Sequence, residues 1–268
     1  MDKKRVERFR KIVWNFYKKN GRSFPWRKTK NPYRILVSEI MLQQTQADRV
    51  VTYYEKFVKR FPDFKTLAKA NFQQIYKLWQ GLGYNRRALA LWRLAKEVVA
   101  KYQGKLPRDI IALESLPGIG PYTARAVSIF AYNRPLTCIE TNIRRVYIHH
   151  FFKDADIVTD EEILLLLEKA LPEKKSREWH WALMDYGAYL KTKITNPNRK
   201  HKNYSVQPKF EGSLRQIRGA ILKSLSKEKM SLQKINSLSK DKEKIKKVIE
   251  ALLSEGFIGY KNKKYYLR

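Results

Sequence analysis

The sequence predicts a mainly α protein that ends in a small α+β module. Three observations carry that expectation. Apolar residues recur at helical spacing through most of the first 190 residues, alternating strand patterns are almost absent there, and the chain closes with two short β-prone runs around Lys-Asn-Lys. The first helix is expected over 5–19, where Val6, Phe9, Ile12, Val13, Phe16 and Tyr17 repeat at that spacing. Asn20 to Trp26 reads as a turn, and Asn31-Pro32 opens a second helix that runs from about Tyr33 to Thr45. Further helices are expected at 47–60, 71–78, 86–102, 108–114, 121–131, 141–152, 160–170 and 176–190. The connections are short and carry Pro or Gly: Phe61-Pro62, Gly81-Leu82-Gly83, Gly104 to Pro107, and Pro117 to Gly120.

Composition changes after Leu190. From there to Lys209 no residue is acidic and six are basic, with Asn196-Pro197-Asn198 among them, so the stretch reads as an irregular, solvated linker facing a nucleic acid, or simply a charged connector. Beyond it, Leu214, Ile217, Ile221, Leu222 and Leu225, then Ile245, Val248, Ile249, Leu252 and Leu253, carry helical periodicity. Gly256 to Tyr260 and Lys264 to Leu267 read as a hairpin. Three helices followed by a basic hairpin resemble a winged helix. A small helical module that only packs on the main body is the alternative.

Charge narrows the class of function. The 268 residues include 57 Lys+Arg and 25 Asp+Glu, a formal net charge of +32, which points first to nucleic acid and then to an anionic membrane surface. No apolar run reaches the roughly 18 residues a bilayer span needs, and no signal-peptide pattern follows Met1. With one cysteine, Cys138, an intramolecular disulfide, a thiolate zinc site and a cysteine-ligated iron–sulfur cluster are all excluded. His149 and His150 are adjacent and cannot serve one metal from a helix, so they, His180 and His201 read as core or phosphate contacts, and no metal site is expected.

Leu116-Pro-Gly-Ile-Gly-Pro-Tyr-Thr123 lies between two expected helices. Gly118 and Gly120 allow positive φ and close approach of a ligand, and Pro121 suits a first helical turn. Backbone N–H groups of such a loop form a natural phosphate site, and with helices on both sides and a charge of +32 the run looks like a helix-hairpin-helix that would grip a DNA backbone without reading sequence; a tight helix–helix connection is the alternative.

With that hairpin, Ser38-Glu39-Ile40-Met41-Leu42-Gln43-Gln44-Thr45-Gln46, Gly81-Leu82-Gly83-Tyr84 and Leu183-Met184-Asp185-Tyr186-Gly187-Ala188 resemble the helix-hairpin-helix DNA glycosylases, most closely the MutY-type adenine glycosylases. The resemblance covers roughly residues 5–190. It implies a two-lobed helix-hairpin-helix glycosylase fold, here divided as 1–30 plus 135–212, 31–134, and the winged-helix-like DNA-binding module 213–268. It also implies a monomer that acts on double-stranded DNA holding a mispair or damaged base and is intracellular and DNA-associated, in cytoplasm or nucleoid.

Breaking an N-glycosidic bond needs an acid for the leaving base and a carboxylate for the sugar cation or for water. Glu39 sits among Leu36, Val37, Ile40 and Met41, where partial burial would keep it protonated as a general acid. The resemblance assigns it to the adenine ring nitrogen. The family's second carboxyl is an Asp, and this chain has Glu140, 18 residues after Tyr122, with Asn142 matching the family's Asn. The extra methylene leaves open a compensated active enzyme, an altered base choice or a weak or dead enzyme, since a misplacement of about 1 Å can cost roughly 100-fold. Tyr122 holds the place where bifunctional relatives carry a Schiff-base Lys, which implies a monofunctional glycosylase. Gln44, Thr45, Leu82 and Tyr84 match positions that wedge into the duplex, Leu82 and Tyr84 having core packing as the alternative. Arg22, Trp26, Arg27 and Asp185 match positions near the base pocket, with Trp26 also a packing candidate.

Two family parts are not matched. The four cysteines that hold a [4Fe–4S] cluster after the Ala188 position have no counterpart in Lys191 to Tyr204, so no cofactor is expected. The residues from Ser213 are too few for the Nudix-like domain that reads 8-oxoguanine. Rival functions are a thymine, uracil or other lesion glycosylase of the same fold, and a non-catalytic DNA-binding relic.

Overall fold

Helices dominate the computed structural model, which describes residues 3–268. In chain order they are α1 (Lys3–Asn20), α2 (Pro32–Leu42), α3 (Ala47–Arg60), α4 (Phe64–Lys69), α5 (Phe72–Trp79), α6 (Arg86–Tyr102), α7 (Ile110–Glu114), α8 (Pro121–Tyr132), α9 (Thr141–Phe151), α10 (Asp160–Ala170), α11 (Ser176–Lys193), α12 (Leu214–Leu225), α13 (Leu232–Asn236) and α14 (Lys242–Ser254). Short 3-10 turns occupy Pro25–Lys28 and Pro197–Lys200, and β1 (Ile258–Lys261) pairs antiparallel with β2 (Lys264–Leu267). None of the described helices is long and apolar enough to cross a membrane.

The chain divides into two units. The first takes the chain up to Glu39 together with Pro107–Ser115 and Ile119–Val206. Its core gathers Val6, Phe9 and Val13 of α1 with Tyr147 and Ile148 of α9 and Trp179 and Leu183 of α11. Phe9 meets Tyr147, Phe151 and Trp179 edge-on, with centroids 4.9–6.0 Å apart. Thr159 and Glu162 form a capping box that starts α10, whose first turn carries Asp160, Glu161 and Glu162 against the helix dipole.

The second unit takes Ile40–Leu106, Leu116–Gly118 and Gln207–Arg268. Phe57, Phe72, Ile75 and Trp79 are buried among α3, α5 and α6. Phe72 also packs edge-on against Phe257, 5.5 Å between centroids, and so joins α5 to the C-terminal residues. These boundaries differ from the expected 1–30 plus 135–212, 31–134 and 213–268: Glu39 and the helices α7 and α8 group with Glu140, and residues 213–268 pack on α5 and α6.

Three sequence expectations need correction. Helix α2 stops at Leu42 and not at Thr45, because Gln44 takes φ +55° and the buried Arg87 guanidinium collects the carbonyls of Ile40, Met41 and Gln43. Helix α4 was not expected: its Asp63 cap accepts from Thr66 N–H at 2.7 Å, but six residues are too few to show a period. The stretch after Leu190 is neither irregular nor solvated throughout. Helix α11 extends to Lys193, and a strap follows in which buried Asn198 donates to Thr141 O (3.0 Å) while Val158 pairs with Lys200 and Lys202 (2.9 and 3.0 Å). Acceptors on the facing segments, invisible in the charge pattern, hold it down.

Candidate active site

Helix α2 delivers Glu39 into an apolar setting, since Leu36, Val37, Ile40 and Met41 are buried around it. Removal from water pushes its carboxyl from an ordinary 4.5 up to about 7, and Glu140 adds to the rise. Tyr122, in the first turn of α8, donates its hydroxyl to Glu39 Oε2 at 3.1 Å, which opposes the rise, as does the more distant Arg27. Burial and the neighbouring carboxylates hold the phenol itself well above its usual value, so it stays a neutral donor.

Glu140 is the N-cap of α9. Its Oε1 accepts from the N–H groups of Asn142 (2.8 Å) and Ile143 (2.9 Å), and its Oε2 accepts from Asn142 Nδ2 (3.0 Å). The longer side chain therefore folds back over its own helix start and does not reach outward. Burial raises its carboxyl, while those two N–H groups, Arg145 and Arg144 pull it down. Arg145 is buried and donates to Asn142 Oδ1 (2.7 Å) and Gly187 O (2.8 Å), which fixes the amide so that its NH₂ faces Glu140. A Cβ on Gly187 would lie 2.1 Å from Asn142 O, so only glycine lets α11 pass α9 here. His180 steadies the approach to Glu140. Its Nδ1 lies 2.7 Å from Ser176 O and its Nε2 accepts Cys138 N–H, consistent with burial lowering its pKa to about 4.

Arg22, Arg27 and Asp185 form one ionic cluster. Asp185 accepts from Arg22 N–H and Nε and from both terminal nitrogens of Arg27, at 2.7–2.9 Å. With about four lone-pair sites on a carboxylate, Asp185 is fully used in aiming the two guanidiniums. Trp26 is buried and stacked on Phe24 (4.9 Å, 8°), and both arginines lie over the same Phe24 ring.

In the hairpin, Gly118 takes φ +79° and a Cβ there would meet Ala90 Cβ at 2.7 Å. Gly120, expected to share that conformation, is extended at φ −99° and caps α8, with nothing within 4 Å of a built Cβ. Its bareness leaves an open approach and serves no fold requirement of its own. Within the second unit, Gln44 and Tyr84 are exposed at φ +55° and +47°, while Leu82 is buried, in line with the packing alternative. Arg87, which sequence reasoning missed, ties these loops together. Its terminal nitrogens donate to Ile40 O (3.0 Å), Met41 O (2.9 Å), Gln43 O, Thr45 Oγ1 (3.2 Å) and Gly83 O (3.1 Å), and burial lowers its pKa to about 10. Its spacing from Leu91, Leu94 and Val98 put it on the buried face of its helix and was the available signal.

The resembled family's cluster does not suit these residues. Cys138 is buried with its thiol raised well above the usual range, the strap holds no cysteine, and among the described residues no group of three or more His, Cys, Asp or Glu is arranged to hold a metal.

Comparison with known proteins places this geometry. The sequence profile of the HhH-GPD superfamily of base excision DNA repair proteins matches residues 37–173. An adenine DNA glycosylase of Buchnera aphidicola subsp. Baizongia pistaciae is 38% identical over 191 residues, covering 70% of this chain and 54% of that protein. The chain thus spans about half the length of that relative. A thymine/uracil-DNA glycosylase of Methanothermobacter thermautotrophicus is 33% identical over 185 residues, covering 68% of this chain and 84% of that protein. Among solved structures, a thermostable thymine-DNA glycosylase superposes with a TM-score of 0.64 at 30% identity, covering 74% of this chain and 92% of that one.

Proposed function

The chain belongs to the HhH-GPD superfamily of base excision DNA repair proteins, and from that membership we propose that it is a monofunctional DNA glycosylase that hydrolyses the N-glycosidic bond of adenine mispaired with guanine or 8-oxoguanine. The observation that carries the proposal is Glu39: a buried carboxyl raised to about 7, held at one oxygen by Tyr122. Such a group is a proton donor at neutral pH. Adenine offers it basic ring nitrogens, whereas the ring nitrogens of thymine and uracil are not basic.

In this reading the duplex enters with Gly118 and Gly120 on its phosphates, and Gln44, Thr45 and Tyr84 fill the gap left by the flipped nucleotide, with buried Leu82 packing beneath them. Arg22 and Arg27, aimed by Asp185 and lying over the Phe24 ring, edge the base pocket. Glu39 delivers its proton to the base as the C–N bond lengthens. The sugar becomes cationic, and the Glu140 carboxylate, oriented by Asn142, stabilises it or takes a proton from the attacking water. No lysine stands at Tyr122, so no Schiff base forms and the product is an abasic site. The chemistry rests on these carboxyls without a cofactor.

A pyrimidine-mismatch glycosylase is the second reading, favoured by the larger share of the thymine/uracil-DNA glycosylase that this chain covers. Single-turnover base release decides between them. The panel places adenine opposite 8-oxoguanine, guanine and cytosine, and thymine and uracil opposite guanine. Adenine release from the guanine and 8-oxoguanine pairs, abolished by Glu39→Gln, is the expected result. Thymine or uracil release with adenine untouched would select the second reading, and no release despite duplex binding would refute both.

A further inference from the structure

Residues 213–268 hold fifteen Lys or Arg and five Asp or Glu. Three of those acids are engaged within the second unit. Glu255 takes Arg86 and Arg218, Glu228 takes Lys234, and Asp241 caps α14 and meets Lys244. Glu243 and Glu250 stay exposed on α14, so the outer face of that helix is mixed, with Lys242 and Lys246 exposed near its start. The hairpin differs in kind. Between Phe257 and Arg268 there is no acidic residue, and Lys261, Asn262, Lys263 and Lys264 are all exposed at its tip. Asn262 and Lys263 take φ +51° and +57°, the two left-handed positions of a tight hairpin turn. Met230 pairs with Tyr265 in both directions (3.0 and 2.8 Å), which gives the hairpin a third strand position one residue from its tip pair. Tyr260, exposed, lies 4.7 Å from Tyr265.

This module is fastened beside the wedge loop. Arg86 and Arg218 each hold Glu255 through two hydrogen bonds (2.6–3.1 Å), and Arg93 donates to Glu255 O at 2.6 Å. Gln73 donates to Ser226 O at 3.1 Å. Arg86 opens α6 two residues beyond Tyr84, and the Gln207 amide donates to the Tyr84 hydroxyl. The hairpin and the loop around Tyr84 are therefore anchored to one helix start.

We propose that the β1–β2 hairpin is a second DNA-binding surface that takes the phosphate backbone of duplex flanking the flipped base on the side of the Tyr84 loop. The proposal rests on the proposed function only for the placement of DNA at that loop. Charge selects the occupant: a tip of three lysines without an acid suits a run of phosphates, and exposed Tyr260 adds a hydroxyl donor beside them. Glu243, in the first turn of α14, and Glu250 confine the contact to the hairpin.

The test uses the full chain and an undamaged duplex of about 30 base pairs, with affinity read by fluorescence anisotropy across a salt series. Lys261→Ala/Lys263→Ala/Lys264→Ala is compared with the unaltered chain, and Lys263→Glu serves as a second, single-site variant. Three lost phosphate contacts should lower the slope of log affinity against log salt by about 3 and weaken binding at least about tenfold. Lys263→Glu should move both in the same direction. Unchanged slope and affinity in both variants would overturn the proposal, as would equal losses on single-stranded and duplex DNA, or no duplex binding by the unaltered chain. Base release by the unaltered chain is assayed in parallel. If no mispair is cleaved while the hairpin variants still lose duplex affinity, the proposed function fails and the second surface stands.

Discussion

Glu39→Gln separates the work of the site from the stability of the fold. A carboxyl that ionises at an ordinary 4.5 in the unfolded chain and at about 7 in the folded one holds its proton more tightly when folded. The stabilisation from that proton is full below 4.5 and is lost as pH rises through about 7. At about 1.4 kcal/mol per pH unit, the folded state has lost about 1 kcal/mol by pH 5.5 and about 3 kcal/mol by pH 8. Glutamine does not titrate, and its amide still offers an oxygen to the Tyr122 hydroxyl. The variant should therefore gain about 2 kcal/mol on the unaltered protein between pH 5.5 and pH 8, or about 4 °C in relative melting temperature. His150 and His180, both lowered to about 4 by burial, titrate alike in the two proteins and cancel. Thermal melts of both proteins at the two pH values measure the difference, and adenine release in the same buffers measures the loss of the acid. A stability difference that is the same at pH 5.5 and pH 8 would refute the account of Glu39 as a buried acid with a raised pKa.

Three further outcomes follow from the same geometry. Tyr122→Phe removes the hydrogen bond that lowers the Glu39 pKa, so the alkaline limb of kcat/KM, expected near pH 7, should move upward while the maximum falls; a pH–rate profile checks both. Gly187→Ala places a Cβ against Asn142 O and should cost about 3 kcal/mol or more in chemical denaturation while abolishing base release. Arg87→Met leaves the carbonyls of Ile40, Met41, Gln43 and Gly83 without their donor, so a loss of about 3 kcal/mol is expected in melting experiments, with weaker duplex binding from loosened Gln44 and Tyr84 loops.

The helices were legible where an apolar stripe runs for three turns or more. The sequence placed the ends of α3, α6 and α10 where the structure has them. Elements set by a few long-range hydrogen bonds were not legible. Whether α2 ends at Leu42 or Thr45 depends on a guanidinium more than 40 residues away, and the strap through Asn198 depends on acceptors in two other segments. Among site residues, Glu39 and Tyr122 could be paired from motif positions, and the structure brings them within hydrogen-bond reach. That Glu140 caps its own helix was not readable, since Glu is not a favoured cap and the fold-back depends on Asn142 being fixed by Arg145. Asp185 matched a pocket position, yet only its four bonds reveal that it serves Arg22 and Arg27.

Glu39 and Glu140 are the same residue type, and burial raises both. The donors aimed at each set them apart. Glu39 has one neutral hydroxyl, and the opposing charge that acts on it, Arg27, is already bound to Asp185. Glu140 has two backbone N–H groups, an amide and the fields of Arg144 and Arg145, every one of which favours its anion. At pH 7 the first carboxyl is about half protonated, while the second, raised by burial, is pulled back by its donors. The Glu140 side chain curls onto its own helix start, spending its length on the turn, and keeps the carboxylate close to the backbone.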